Sequence, residues 1–211
     1  AAILSVEDEL LRHPDWAYLY TKKGLAEMSL KKFDAAISSF TIALSLISKT
    51  PDHLKDMRDA HMANYYFLRG SCYERLGNWA KAEPDLESSL EINPNQPLVL
   101  NYLGYSWVDR GQKIEKGLSL IQQALKMMPT ESAFLDSLGW AYFKLKRYKE
   151  AAELIEKALL ISPDDPDMHN HLGDVYYAQG RFLEAQFEWR KALFFVDDDE
   201  MKEKIEAKLK Y

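Results

Sequence analysis

Three stretches of this chain are variants of one another: NYLGYSWVDRG from Asn101, DSLGWAYFKLK from Asp136 and NHLGDVYYAQG from Asn170. Each carries Leu-Gly (Leu103-Gly104, Leu138-Gly139, Leu172-Gly173) and an aromatic three residues after the glycine (Trp107, Tyr142, Tyr176). A small residue follows twelve or thirteen positions after the glycine (Gly117, Ala151, Ala185). The glycines recur at intervals of 35 and 34 residues. A fixed period of this length marks a supersecondary unit that cannot bury its apolar face alone, so that copies must stack on their neighbours. Two helices pack closely where glycine and alanine face each other, and larger side chains fill the space between successive pairs.

With Ala158 or Ala192 seven residues after the small position, and Pro129 or Pro163 closing the unit, the pattern resembles the tetratricopeptide repeat (TPR) family. The resemblance implies an all-α fold: a right-handed TPR superhelix, or α-solenoid, of antiparallel helix pairs with a C-terminal capping helix. It also implies a binding scaffold, whose ligand the fold does not name.

One elongated domain is expected, divided into a half-repeat at 1–14, a repeat at 15–48, an insertion at 49–62, repeats at 63–96, 97–131, 132–165 and 166–197, and a capping helix at 198–211. Pro14 falls where a repeat-closing proline belongs, so Ala2 to His13 reads as the second helix of a repeat whose first helix precedes residue 1. On that reading the chain is a fragment of a longer protein. Val6, Leu10 and Leu11 give this half-repeat an apolar face, and Ser5 caps or interrupts it. Asp15 is the expected N-cap of a helix over Trp16 to Ser29, and Ala36, Phe40 and Ala43 set the register of its partner helix.

Gly24 and Gly70 are 46 residues apart, about twelve more than the family period. Leu54, Met57, His61, Tyr65 and Leu68 keep helical spacing through the extra residues, which predicts one long helix from Asp52 to Leu76. This extension either covers a local surface or overhangs a partner site. Pro84 should kink or delay the helix that starts at Trp79, for which Asn78 is the expected cap. Gly77, Gly111 and Gly180 each end a first helix, where a left-handed residue is needed, and Lys146 stands at the equivalent place. After Phe195 an acidic start (Asp197, Asp198, Asp199, Glu200) precedes lysines, with Met201, Ile205 and Leu209 on one face. That is a capping helix, or alternatively a charged tail that recruits a partner.

Catalytic constellations are absent from the sequence. His169 and His171 are two residues apart, about 200° on a helix, so they cannot chelate one metal. His13, His53 and His61 have no partners at ligand spacing. There is no phosphate loop or nucleophile elbow. The single cysteine, Cys72, reads as a buried small hydrophobe. No enzyme activity, cofactor or metal is expected. The net charge of −6 argues against a nucleic-acid partner, since phosphate neutralisation needs clustered Lys and Arg, and no apolar run approaches the ~20 residues of a membrane span, so direct membrane insertion is not expected.

The TPR resemblance implies that the first helix of each pair lines a concave groove, with groove positions at offsets −3, +1, +4 and +5 from the signature glycine. Those are Asn101, Tyr105, Val108 and Asp109, then Asp136, Trp140, Phe143 and Lys144, then Asn170, Asp174, Tyr177 and Ala178. Asn and Asp at the first offset would form a ladder holding an extended peptide, and Tyr105, Trp140 and Tyr177 would supply contact area. The structural alternative is that the aromatics pack between repeats and the amides cap local carbonyls. The carboxylate-clamp residues of co-chaperone TPR domains are not matched by Thr21, Leu25, Leu68 or Tyr102. Asp109, Asp136, Asp167 and Asp174, opposed by Lys144, favour a neutral or basic protein or peptide partner.

The second half is also similar to the C-terminal repeats of large bacterial TPR proteins, some of them envelope lipoprotein adaptors. That implies a bacterial cytoplasmic or periplasmic setting, with a membrane-anchored parent. Two other roles remain open: a self-assembling module that forms homodimers through its terminal faces, and a regulatory region of a longer enzyme.

Overall fold

The computed structural model describes residues 2–210, with side chains described from Val6 onward. Ala1 and Tyr211, the outermost residues of the expected half-repeat and capping helix, lie outside the described residues, as does the side chain of Ser5. The described residues form helices and no strand: α1 (Ala2–Arg12), α2 (Ala17–Ser29), α3 (Phe33–Ile47), α4 (Lys55–Arg75), α5 (Trp79–Ile92), α6 (Pro97–Asp109), α7 (Ile114–Met127), α8 (Ser132–Lys144), α9 (Tyr148–Ile161), α10 (Pro166–Ala178), α11 (Phe182–Phe195) and α12 (Asp199–Lys208). They make two compact units, Ala1–Val99 and Leu100–Tyr211.

The two helices of a pair meet at the signature glycine. A methyl group on Gly24 would lie 2.6 Å from the Phe40 ring, and one on Gly139 would lie 2.6 Å from Ile155 Cγ1. On Gly173 it would collide with the Trp189 indole, and on Gly104 it would come within 2.7 Å of the Gly117 carbonyl oxygen. Gly117 takes the place of alanine for a reciprocal reason: a methyl group there would lie 2.6 Å from the Gly104 carbonyl oxygen. At this crossing backbone meets backbone. Phe40, Leu86, Ile121, Ile155 and Trp189 thus form a series, one per second helix, each packed on its glycine and each almost fully buried.

Five first helices end in the same turn. Lys31, Gly77, Gly111, Lys146 and Gly180 adopt φ of 57°, 71°, 66°, 60° and 78°. In each turn the next residue's N–H reaches back five residues, as from Arg147 to Tyr142 O (2.9 Å) and from Asn78 to Tyr73 O (2.8 Å). This bond closes the helix end on orphan carbonyls and reverses the chain. Lys146 therefore makes the glycine-type turn despite its side chain, and Lys31 is a second such lysine. The 35-residue interval also has a local cause. The α6–α7 turn holds one extra residue, Lys113, itself left-handed at φ 44°. Its ammonium lies 4.5 Å over the Trp107 ring, as the Arg147 and Arg181 guanidiniums lie 4.0 and 3.9 Å over Tyr142 and Tyr176.

Several local expectations are corrected. α2 begins at Ala17 with Trp16 at its N-cap, and Asp15 does not cap it. Asn78 occupies the N-cap of α5 without a side-chain bond to the helix, because the preceding turn already directs the chain. Side-chain capping is made by Asp165 to Met168 N–H and by Asp198 to Met201 N–H, both at 3.0 Å. α5 starts at Trp79 and continues to Ile92 with Pro84 inside it, so the proline does not delay the helix. The long helix expected from Asp52 starts as a 3-10 turn at Asp52–Leu54 and becomes α-helical at Lys55. α1 continues through Ser5 and packs on α2, with Lys23 Nζ 3.2 Å from Glu7 Oε1. Val6 and Leu10 are half-buried, but Leu11, a further 100° round the helix, is exposed.

In the first unit the cores are built on Ala36, Phe40 and Cys72, and on Ala43, Leu44, Ile47 and Tyr65. Burial pushes the Cys72 thiol up to about 11, so it behaves as the small hydrophobe expected. Arg69 holds Asp85 in a bidentate pair at 2.7 and 2.8 Å. In the second unit Ala151, Ile155, Leu172, Val175, Ala185, Trp189 and Ile205 share one core, so α12 closes it as the capping helix expected.

Two substitutions test these contacts by thermal or denaturant unfolding. Gly117→Ala should lose about 1–3 kcal/mol, because a carbonyl on the facing backbone cannot repack. Lys146→Gly should gain about 1 kcal/mol by relieving left-handed strain.

Candidate functional site

The first helices of the second unit, α6, α8 and α10, carry the residues assigned to a binding face. Side-chain bonds link them from one helix to the next. Trp140 Nε1 on α8 donates to Asp109 Oδ1 on α6 at 3.0 Å, and Lys144 Nζ donates to the Asp109 carbonyl oxygen at 2.9 Å. The Lys144 ammonium also lies 4.9 Å from the Trp140 ring centroid. Trp140 stacks on Phe143 at 4.7 Å and on His171 of α10 at 4.2 Å. It is buried, and Phe143 and Lys144 are half-buried.

His171 is the centre of this cluster. Its Nδ1 lies 2.9 and 3.1 Å from the two carboxylate oxygens of Asp136, and its ring is 6.2 Å from Tyr105. Both His171 and Asp136 are buried. Desolvation disfavours the imidazolium, but the charge and hydrogen bond of Asp136, with Asp167 and Asp174 behind, outweigh it and raise the histidine above its ordinary value. The neighbouring His169 faces elsewhere, with Nδ1 2.5 Å from Glu188 Oε2 and Nε2 2.8 Å from the Pro163 carbonyl oxygen. The two histidines share no ligand, and no cluster of metal-ligating side chains occurs among the described residues.

At the end of this face the contacts reach α12. Lys208 Nζ donates to Asn170 Oδ1 at 2.7 Å and to both Asp174 carboxylate oxygens at 2.6 and 2.7 Å. Trp189 Nε1 donates to the same carboxylate at 3.1 Å. Beside them Asp174, Tyr177, Trp189, Ala207 and Lys208 wall an open cavity of about 400 Å³. A second cavity of about 190 Å³ adjoins it, lined by Tyr177, Phe182, Gln186 and Trp189. Tyr177 is exposed and meets Phe182 edge-on at 5.2 Å.

The expected ladder is therefore engaged within the fold at two of its rungs: Asp136 holds His171, and Asn170 holds Lys208. At the third, Asn101 Oδ1 is screened from solvent and has no hydrogen-bond partner. Val108 belongs to the core with Ile121, Leu138 and Ala141, whereas Ala178 is exposed. His171, Trp189 and Lys208 were not among the assigned positions. Lys208 lies one 34-residue period after Asp174, and that interval was a legible signal.

Models described as tetratricopeptide repeat match residues 17–50 and 63–96, and one described as TPR repeat matches 139–180. A TPR repeat-containing protein of Pseudomonas aeruginosa is 31% identical over 88 residues, 42% of this chain and 15% of that protein. The chain spans only 15–18% of the length of the curated relatives it matches. Among solved structures, a tetratricopeptide repeat protein of Parabacteroides merdae superposes with a TM-score of 0.76 at 18% identity, over 99% of this chain and 78% of that one. A thermophilic TPR protein of Thermus thermophilus superposes with a TM-score of 0.73 at 19% identity, over 93% and 100%.

The His171–Asp136 pair makes a prediction about pH. Because the folded state raises the histidine, protonated His171 contributes stability that is complete below about pH 6.5. That contribution is lost as pH rises through the raised folded value. Denaturant midpoints followed from pH 5.5 upward should fall across that window in the wild type. In Asp136→Asn the fall should be reduced or reversed.

Proposed function

Because the chain belongs to the tetratricopeptide repeat family, we propose that it acts as a non-enzymatic scaffold that binds a segment of a partner protein along the first helices of its repeats. The proposed contact face is the part of the assigned set that reaches solvent, Asn101, Tyr105, Asp109, Phe143, Lys144, Asn170, Asp174 and Tyr177, while Asp136 and Trp140 are buried and support it from within the fold. The observation that carries this reading is the open cavity between Tyr177, Trp189, Asp174 and Lys208. Its size suits an anchoring side chain, and aromatic walls with a few fixed polar groups are what such anchors use.

Asp109 has Lys144 beside it and Asp174 has Lys208, so much of the face's acidity is offset locally. This supports a neutral segment, or one carrying a single basic group, over a strongly charged one. The repeat division at 15–48, 63–96, 97–131, 132–165 and 166–197 is part of the same reading. It is supported by the helix pairs α2/α3, α4/α5, α6/α7, α8/α9 and α10/α11, which begin and end inside those limits, the extended N-terminus of α4 excepted.

The test is affinity capture from a lysate of the source organism with the wild-type chain and with Tyr177→Ala, read by mass spectrometry. Tyr177 is exposed, so the variant should keep its helicity and melting temperature. Loss of an aromatic anchor costs about 2 kcal/mol or more, roughly thirtyfold in affinity, and a specifically retained protein should disappear. Capture of the same proteins by both chains would contradict the proposed face.

A further inference from the structure

Helices α7, α9 and α11 share one register, so residues 34 apart occupy equivalent positions. Where α7 presents Glu115 to solvent and α9 presents Lys149, α11 presents Leu183, which is 83% exposed. Ser119 and Glu153 become Phe187, 57% exposed. Lys126 and Leu160 become Phe194, 82% exposed. Together with exposed Arg190 these residues fall within about 60° of arc, opposite the buried face of Ala185, Trp189 and Ala192. α11 is therefore apolar on both sides, and its outer stripe is about 16 Å long.

We propose that this stripe is a self-association surface on which α11 of a second copy of the chain packs antiparallel about a two-fold axis. The spacing of Leu183, Phe187, Arg190 and Phe194 is four, three and four residues, which reads the same in both directions. Antiparallel pairing about its midpoint sets Leu183 against Phe194 of the second copy and Phe187 against Arg190, whose guanidinium can lie on the ring. The flanking charges are also self-complementary. Glu184, which pairs with Arg181 in its own chain, and Lys191, whose ammonium lies over the Phe187 ring and 3.9 Å from Glu188, are on the same side of the stripe, and the same symmetry brings each near its opposite number on the other copy. Each ion pair therefore forms twice. The apolar stripe offers roughly 400 Å² per copy, about 800 Å² in all, which is less than the roughly 1,000 Å² a stable interface buries, so the dimer is weak and dissociates on dilution.

The test measures solution mass by light scattering and sedimentation over a concentration series of the 211-residue chain. The expected result is a mass that rises from 24.4 kDa towards twice that value with concentration. Leu183→Glu and Phe187→Glu should each hold the mass at that of one chain with unchanged helicity, whereas Leu30→Glu, at an exposed apolar residue elsewhere, should not. Glu184→Lys and Lys191→Glu should each weaken the dimer, and the double variant should restore it. The proposal is overturned by a wild-type chain that stays monomeric, by a dimer that survives the stripe substitutions, or by failure of the double variant to restore association. Capture of a different protein on the stripe by a monomeric chain would also overturn it.

Discussion

The contact on which every repeat depends is the close approach of its two helices at the signature glycine. Where Gly104 faces Gly117, the limit is set by carbonyl oxygens, and no side chain can move to relieve an intrusion. Elsewhere a single large residue, such as Ile155 or Trp189, occupies the space a methyl group would need. This packing fixes where the second helix lies against the first. The left-handed turn that follows fixes the direction in which the chain returns. Its geometry is maintained even at Lys31 and Lys146, so the tertiary arrangement overrides a residue preference of about 1 kcal/mol.

The first-helix face is held by a different kind of contact. Asp109, Asp136 and Asp174 each bind a group two helices further along: Trp140 and Lys144, His171, and Lys208. Asp136 is buried, Asp174 half-buried and Asp109 exposed, and each carboxylate has a fixed partner, which favours preorganised recognition over induced ordering. The same pairing removes much of the face's net charge, so its specificity rests on shape and aromatic contact more than on long-range attraction. α12 extends the pattern, because Lys208 stands one period after Asp174 and caps the final repeat both electrostatically and through Ile205.

The period, the helix pairing and the glycine contacts were legible in the sequence because they rest on residue size at fixed spacing. So were the glycine-ended turns. The caps were not, since Asp15 and Asn78 have the right chemistry for capping but the preceding chain sets the helix start. The side-chain partners were not legible either. Offsets from a glycine place Asp136 and Trp140 on a helix face but say nothing of a histidine two residues before the next glycine reaching both. Val108 shows the same limit, for its assigned offset points into the core between α7 and α8. The apolar outer face of α11 was hidden by its buried face, since a helix apolar on two sides loses the single stripe that periodicity reads.

The most direct measurement of the central claim, that the first helices carry the binding face, is hydrogen–deuterium exchange with and without the partner retained by the wild-type chain, at matched chain concentration. The account predicts added protection in α6, α8, α10 and α12, with peptides around Tyr177 and Lys208 changing most. Protection confined to α7, α9 and α11, with the first helices unaltered, would contradict it.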